Sequence, residues 1–434
     1  MATQLPKGNK KLLNAWAFYD WANSVYSLVI ASAVFPLFYG ALFDIAEIEE
    51  IELFTLSIES SNVIFFTTAF AFLIVSLISP ILSGVADYTG NKKIFLKFFC
   101  YLGAFSTIAL YWFSLENIYL GLMFYTLALV GFWASLVFYN SYLPDIAHKE
   151  QHDSISAKGY SLGYIGSVLL LVLCLGMIMS QETGEGKVQM MRWSFVLTGV
   201  WWILFSQYTY MYLPKGNTAG GSFSSKVLFN GFEELKKIWR ELGGQLKLKR
   251  YLIAFFVYSM AVQTVMLAAA YFGERELEWG SEDEKVTGLI VSILLIQLIA
   301  VVGAILTSRL SAKVGNVKAL IYINVFWIFL CVYAYFIYTP FQFYIAAALV
   351  GLVMGGVQAL SRSTYSKFLP KTEDTASYFS FYDVAEKIGI IIGMFLYGLV
   401  GELTGSMRYS ILFLIIFFVT GVILLRRVPR NKSD

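Results

Sequence analysis

The chain has 434 residues, of which 58% are hydrophobic and 14% charged, whereas a soluble protein carries about 25% charged residues. That balance excludes most cytosolic enzyme classes, and a net charge of +3 without a basic stripe speaks against a nucleic-acid partner. Cys100, Cys174 and Cys331 lie in separate apolar runs, His148 and His152 share a polar loop, and no Walker A loop occurs, so no disulfide, metal, cofactor or ATP coupling is expected.

In chain order, apolar runs predict twelve membrane helices at 14–43, 61–86, 94–113, 119–142, 157–180, 193–213, 251–272, 286–310, 319–338, 341–361, 377–400 and 408–425. The expected fold class is all-α integral membrane, surrounded by the lipid bilayer. With the N-terminus inside, 26 Lys and Arg fall in the termini, the cytosolic loops and the adjoining span ends. Five fall on the other side (Lys187, Arg192, Arg275, Lys285 and Arg408), and Lys387 lies within a span. The positive-inside rule then puts both termini in the cytosol.

The longest loop, 214–250, opens with the glycine-rich stretch 216–221. Leu228, Phe232, Leu235, Trp239, Leu242 and Leu246 then recur at helical spacing, with Lys236, Lys237 and Arg240 on other faces. That composition predicts an amphipathic helix on the anionic cytosolic surface. The loop separates two six-helix bundles, 1–213 and 251–434. Gly90-Asn91-Lys92-Lys93 after span two returns as Gly315-Asn316-Val317-Lys318 after span eight, 225 residues later. Leu143-Pro144 after span four returns as Leu369-Pro370, 226 residues later. These echoes predict two pseudo-symmetric halves, an architecture of transporters.

In span one, Asp20, Asn23, Ser24, Ser27 and Ala31 fall at i, i+3, i+4, i+7 and i+11, one face of an ideal helix. A carboxylate two turns inside the membrane costs roughly 2.5–3.5 kcal/mol, so it should face a cavity or a partner. Substrate contact, protonation site and structural hydrogen-bond hub all fit it.

After span two comes Gly84-Val85-Ala86-Asp87-Tyr88-Thr89-Gly90-Asn91-Lys92-Lys93. This segment resembles the signature loop of the major facilitator superfamily. Gly84 permits close helix approach, Gly90 turns the chain, and Asp87 is placed to cap a helix N-terminus or pair with a cation. With Lys92 and Lys93 the set is expected to act as a conformational latch. In the second half Asp87 is answered by Ala312 and Gly84 by Arg309, so that copy is degenerate.

A finer resemblance runs along most of the chain. Tyr19-Asp20-Trp21-Ala22-Asn23-Ser24, Leu143-Pro144-Asp145, Gly159-Tyr160, Gly163-Tyr164 and Gly355-Gly356-Val357-Gln358-Ala359-Leu360-Ser361-Arg362-Ser363 look like the vacuolar-effluxer-like branch of that superfamily. That branch holds fungal autophagy-linked amino-acid exporters and bacterial relatives of unsettled substrate. Where the branch follows span eleven's lysine with Gly-Pro, this chain has Gly393-Met394.

The resemblance implies that spans one, four, seven and ten line a central cavity. Asp20, Asn23, Asn140, Gln263, Gln358 and Arg362 are therefore the candidate substrate contacts. Arg362 also suits a gate or an interfacial cation, and the amides also suit helix–helix contacts. In span eleven Asp383, Glu386 and Lys387 share a face, so Asp383 can pair with Lys387 and leave Glu386 as a surplus acid, a candidate proton carrier.

The expected function is secondary active transport of a small polar, amino-acid-like solute by alternating access, coupled to protons, without enzymatic activity. An uncoupled facilitator, a drug or peptidoglycan-fragment carrier and a transport-dead receptor or scaffold remain alternatives on the same fold. A monomer in a bacterial inner membrane is expected.

Overall fold

The computed structural model describes residues 5–48, 50–53, 56–215 and 227–429. Twelve long helices run through them: Lys10–Ala46, Ser60–Thr89, Lys92–Ala109, Ile118–Ser141, His152–Met179, Gly184–Tyr212, Leu246–Arg275, Glu282–Val314, Asn316–Tyr335, Pro340–Phe368, Thr375–Thr404 and Met407–Arg426. All but the sixth are long and apolar enough to cross a membrane; the sixth opens with Glu185, Lys187 and Arg192. Each predicted span has its helix. Most of the helices are longer than the apolar runs, because hydrogen bonding continues past the last apolar residue. Span one, for example, starts where the Asn9 side chain accepts from the Lys11 amide and ends at Glu47, which has a left-handed backbone.

Span one is not one regular helix. Tyr26–Val34 is π-helical, and the α-helix resumes at Phe35, whose amide donates to the Ile30 carbonyl. Pro36 follows immediately and has no amide to donate, so the hydrogen-bond ladder is rearranged at this point. The 3.6-residue register that groups Ser27 and Ala31 with Asp20 therefore stops at Val25. The loop after span one also holds an unanticipated strand pair, Glu50–Leu53 antiparallel with Leu56–Glu59.

One apolar core gathers side chains from Leu12 to Leu213 and takes in Ala376. The other runs from Ile238 to Val428 and takes in Val137 and Tyr164. Large apolar side chains such as Phe66, Leu77, Phe105, Phe329 and Phe395 stand exposed around the outside, as a hydrocarbon environment requires. Between the halves, span five packs against spans eight and ten, and span two against span eleven.

Spans eight and ten touch backbone to backbone. A Cβ at Gly303 would stand 2.0 Å from the Leu352 carbonyl oxygen, one at Gly351 2.4 Å from that of Ile296, and one at Gly355 2.0 Å from that of Ala300. Only glycine fits such a seam.

The linker helix spans Val227–Gly244. Residues 216–221 and the Leu228 side chain lie outside the described residues. The predicted apolar face is split. Ile238 and Leu242 are buried in the core of the second half, with the helix packed along span two of the first half, while Phe232 and Trp239 are turned outward with Lys236 and Arg240. The reason is docking. Lys237 reaches Asp374 at 3.3 Å and the Tyr378 hydroxyl donates to Glu241 at 3.3 Å, which holds the helix against the start of span eleven. The outward face interleaves aromatic and cationic side chains, a composition suited to a membrane surface.

Candidate functional site

The start of span one, the end of span twelve, the linker helix and the lysine-rich loops lie at one end of the bundle, called here the basic end. A few turns in from it, Arg362 of span ten reaches across to the first half. Its five N–H groups meet five acceptor atoms. Nη2 donates to Asp20 Oδ2 at 3.0 Å and to the Ser156 carbonyl at 3.0 Å. Nε donates to Ser156 Oγ at 2.9 Å, and Nη1 faces Asn140 Oδ1 at 3.3 Å and Asp20 Oδ1 at 3.5 Å. The Tyr139 hydroxyl donates to Asp20 Oδ2 at 2.9 Å. The rings of Trp16, Tyr139 and Tyr160 stand 4.8, 5.5 and 4.2 Å from the guanidinium carbon, close enough for cation–π attraction.

The pair is buried, Arg362 at 2% and Asp20 at 4% exposure. Gly159 makes room for it: a Cβ there would lie 2.3 Å from Asp20 Oδ2 and 3.0 Å from Arg362 Nη2. Asp20, Asn140 and Arg362 thus come together, although the first and last are 342 residues apart. Asn23 does not join them. It is 1% exposed, with its amide nitrogen unpartnered among the described residues and its oxygen accepting from Ser24.

Next to this pair, between spans five, seven, ten and eleven, lies a narrow cleft. It brings Gln263, Gln358 and Glu386 together. Gln263 Nε2 donates to Glu386 Oε1 at 2.7 Å, and the Tyr164 hydroxyl donates to Gln358 Oε1 at 2.6 Å. Lys387 pairs with Asp383 as expected, and it also lies 3.7 Å from Glu386 Oε2 and 3.8 Å from the centre of the Trp133 ring. Glu386 is therefore not unpartnered. Its amide partner belongs to span seven, which the periodicity of span eleven does not reveal.

At the basic end, Asp87 accepts from the backbone amides of Ala376 and Ser377 at 3.2 and 2.7 Å, in the first turn of span eleven. A carboxylate from one half thereby caps a helix of the other. Lys92 pairs with Asp145 and donates to Thr375 Oγ1 at 2.6 Å. Lys93 stays within its own half, donating to the Leu213 carbonyl at 2.6 Å. Gly84 is buried, and Gly90 closes span two at φ +66°.

The degenerate loop of the second half makes a matching contact with its polarity reversed. Its acid sits on the receiving helix: Asp153, at the start of span five, accepts from Ser311 Oγ at 2.9 Å, Asn316 Nδ2 at 2.8 Å and Lys367 Nζ at 2.6 Å. Matching residue for residue misses this, because donor and acceptor have changed places. Trp16, Tyr139, Ser156 and Gly159 were missed as well. Gly159 does stand in a motif, but glycine alone does not say what it makes room for.

The profile of the family described as "Vacuole effluxer Atg22 like" matches residues 8–434. An uncharacterized MFS-type transporter of Bacillus subtilis, YxiO, is 32% identical over 97% of this chain and 95% of its own length. Autophagy-related protein 22 of Saccharomyces cerevisiae is 24% identical over 82% of this chain and 76% of its own length. Among solved structures, the major facilitator superfamily transporter FucP in its outward conformation superposes with a TM-score of 0.69 at 16% identity, covering 97% of this chain and 99% of that one.

Proposed function

As a member of the Atg22-like vacuole effluxer family within the major facilitator superfamily, this chain is a multi-pass membrane transport protein, and we propose that it moves a small polar, amino-acid-like solute by alternating access, driven by protons. The observation that carries the reading is the buried Asp20–Arg362 pair, which joins the two halves beside a polar cleft. An ion pair drawn from both halves forms when they close and breaks when they part, so it suits a gate. In this reading the basic end is cytosolic and closed, the membrane is the bacterial inner membrane, and the protein works as a monomer. Gln263 and Gln358 contact the solute, Asp20, Asn140 and Arg362 form the gate beside them, and Glu386 carries the proton.

Uptake of a labelled amino-acid panel into proteoliposomes, with and without a pH gradient, tests this. A substrate of the panel should accumulate with the gradient and only equilibrate without it. Flux that ignores the gradient would make the protein a facilitator, and no flux of any solute would remove the transport reading.

The Asp87 contact is the corresponding latch at the basic surface. Asp87→Asn keeps the shape but loses the charge that favours the span eleven N-terminus, an effect of about 0.3–1 kcal/mol at exposed sites and up to about 2 where partly buried. A loss of ~1.4 kcal/mol from the closed state alters the ratio of conformations about tenfold. Expression should be normal, with thiol labelling from the basic side faster by up to about that factor. Unchanged labelling and transport would reduce the loop to a simple turn.

A further inference from the structure

Near the cleft stand two side-chain cations, and both are already engaged. Every N–H of Arg362 has an acceptor in the first half. Lys387 is fully buried between Asp383 and the Trp133 ring. A solute carboxylate entering the cleft meets no free cation among the lining residues. A solute cation meets a different surface. Glu386 is the one acid among the lining residues, and Tyr160, Tyr258 and Tyr382 line the same space. The Tyr258 hydroxyl is engaged by Ser361 Oγ at 2.7 Å, and Phe255 stacks on Tyr382 at 4.1 Å, so the aromatic wall is held in place by its neighbours. A carboxylate in a cleft lined with tyrosines is a site for an ammonium group.

We infer that Glu386 and this tyrosine wall form an ammonium site which a proton and the solute's amine occupy in turn, so that transport is an exchange of amine for proton. The inference rests on the transport reading above and deepens it. Protonated Glu386 offers an O–H and no charge; ionised Glu386 offers an acceptor to an N⁺–H. It serves one occupant at a time. When the ammonium arrives, the Glu386 proton leaves to water on that side of the membrane. When the ammonium departs on the other side, a proton from that side replaces it. One proton moves against one ammonium, and no other reactant is needed. The titratable and charged groups around Glu386 are Lys387, Asp383 and Tyr382 on its own helix, Tyr258 from span seven and Tyr160 from span five. The amine is therefore assigned to Glu386 and not to Asp20, whose charge is matched by Arg362.

The test titrates the purified full-length protein with three solutes of one skeleton: valine, isobutylamine, which lacks the carboxylate, and 3-methylbutanoate, which lacks the amine. The first two are expected to bind and to release protons into weak buffer. If each amine displaces one proton, its affinity should fall as the pH is lowered, by up to about tenfold per pH unit. 3-Methylbutanoate should not bind, and Glu386→Gln should lose both amine binding and proton release. Binding of 3-methylbutanoate as tight as that of isobutylamine, or failure of both amines to bind, overturns the amine site. Amine binding without proton release at any pH at which the protein stays folded overturns the exchange. The wild-type protein alone delivers these readouts, so the test survives a Glu386→Gln variant that fails to fold. Proteoliposome flux of a solute without an amine would remove the ammonium site and leave alternating access standing, so the two readings fail separately.

Discussion

Arg362→Gln is expected to open the basic end and abolish transport. The substitution leaves Asp20 buried at 4% exposure with a tyrosine hydroxyl as its remaining close partner. Removing one member of a buried ion pair costs about 3–5 kcal/mol. That cost falls on the conformation in which the pair is formed, so the balance should shift by about 100-fold or more toward the opened one. Ala157→Cys is a suitable reporter, because Ala157 packs with Ala304 and Ala359 between the halves and is 3% exposed. The native cysteines are all buried and give a quiet background. Labelling from the basic side should be slow in the reporter alone and fast with Arg362→Gln added. The double replacement Asp20→Asn with Arg362→Gln leaves no buried unpaired charge and should recover part of the protection. If the single variant labels as slowly as the parent, the pair does not hold that end shut.

The second large effect is expected on stability. Gly355→Ala adds one methyl group, and its carbon would stand 2.0 Å from the Ala300 carbonyl oxygen. Backbone cannot swing aside as a long side chain does, so spans eight and ten must separate along their seam. Overpacking of this kind costs typically about 1–3 kcal/mol, occasionally more, and a rigid neighbour puts this site at the upper end or beyond. Gly398→Ala is the matched control, since nothing lies within 4 Å of its new methyl group. In detergent, Gly355→Ala should unfold several degrees below the parent or fail to accumulate, whereas Gly398→Ala should match it. Equal thermal stability of the two variants would mean that the seam is not close-packed.

The long helices and the acid and base types of the site were legible, because each depends on a local pattern. Bilayer thickness imposes runs of about 20 apolar residues, and any charge within such a run stands out. Partnerships were much less legible. Asp383 and Lys387 share one helix face, so their pairing follows from spacing. Asp20 and Arg362 sit on different helices in different halves, and no periodicity links them. The same limit hid Gln263 behind Glu386. Span one shows another: an ideal 3.6-residue register was extended past Val25, but the ladder at Pro36 turns that stretch into π-helix. On the linker helix, hydrophobic spacing located the helix but not its docked side, since both protein and lipid attract apolar residues.

The glycine seam between spans eight and ten has a mechanical consequence. Side chains between two helices act as a compliant cushion, and here at three positions the cushion is missing. Arg362 rides on span ten, while Ser311, at the end of span eight, holds Asp153. Two grips on the first half are thus carried by one stiff lever with no slack between them. Load that loosens one is delivered at once to the other, so the basic end should let go as a whole and not strand by strand. Ala157→Cys would then label in one kinetic phase, whichever grip is weakened first.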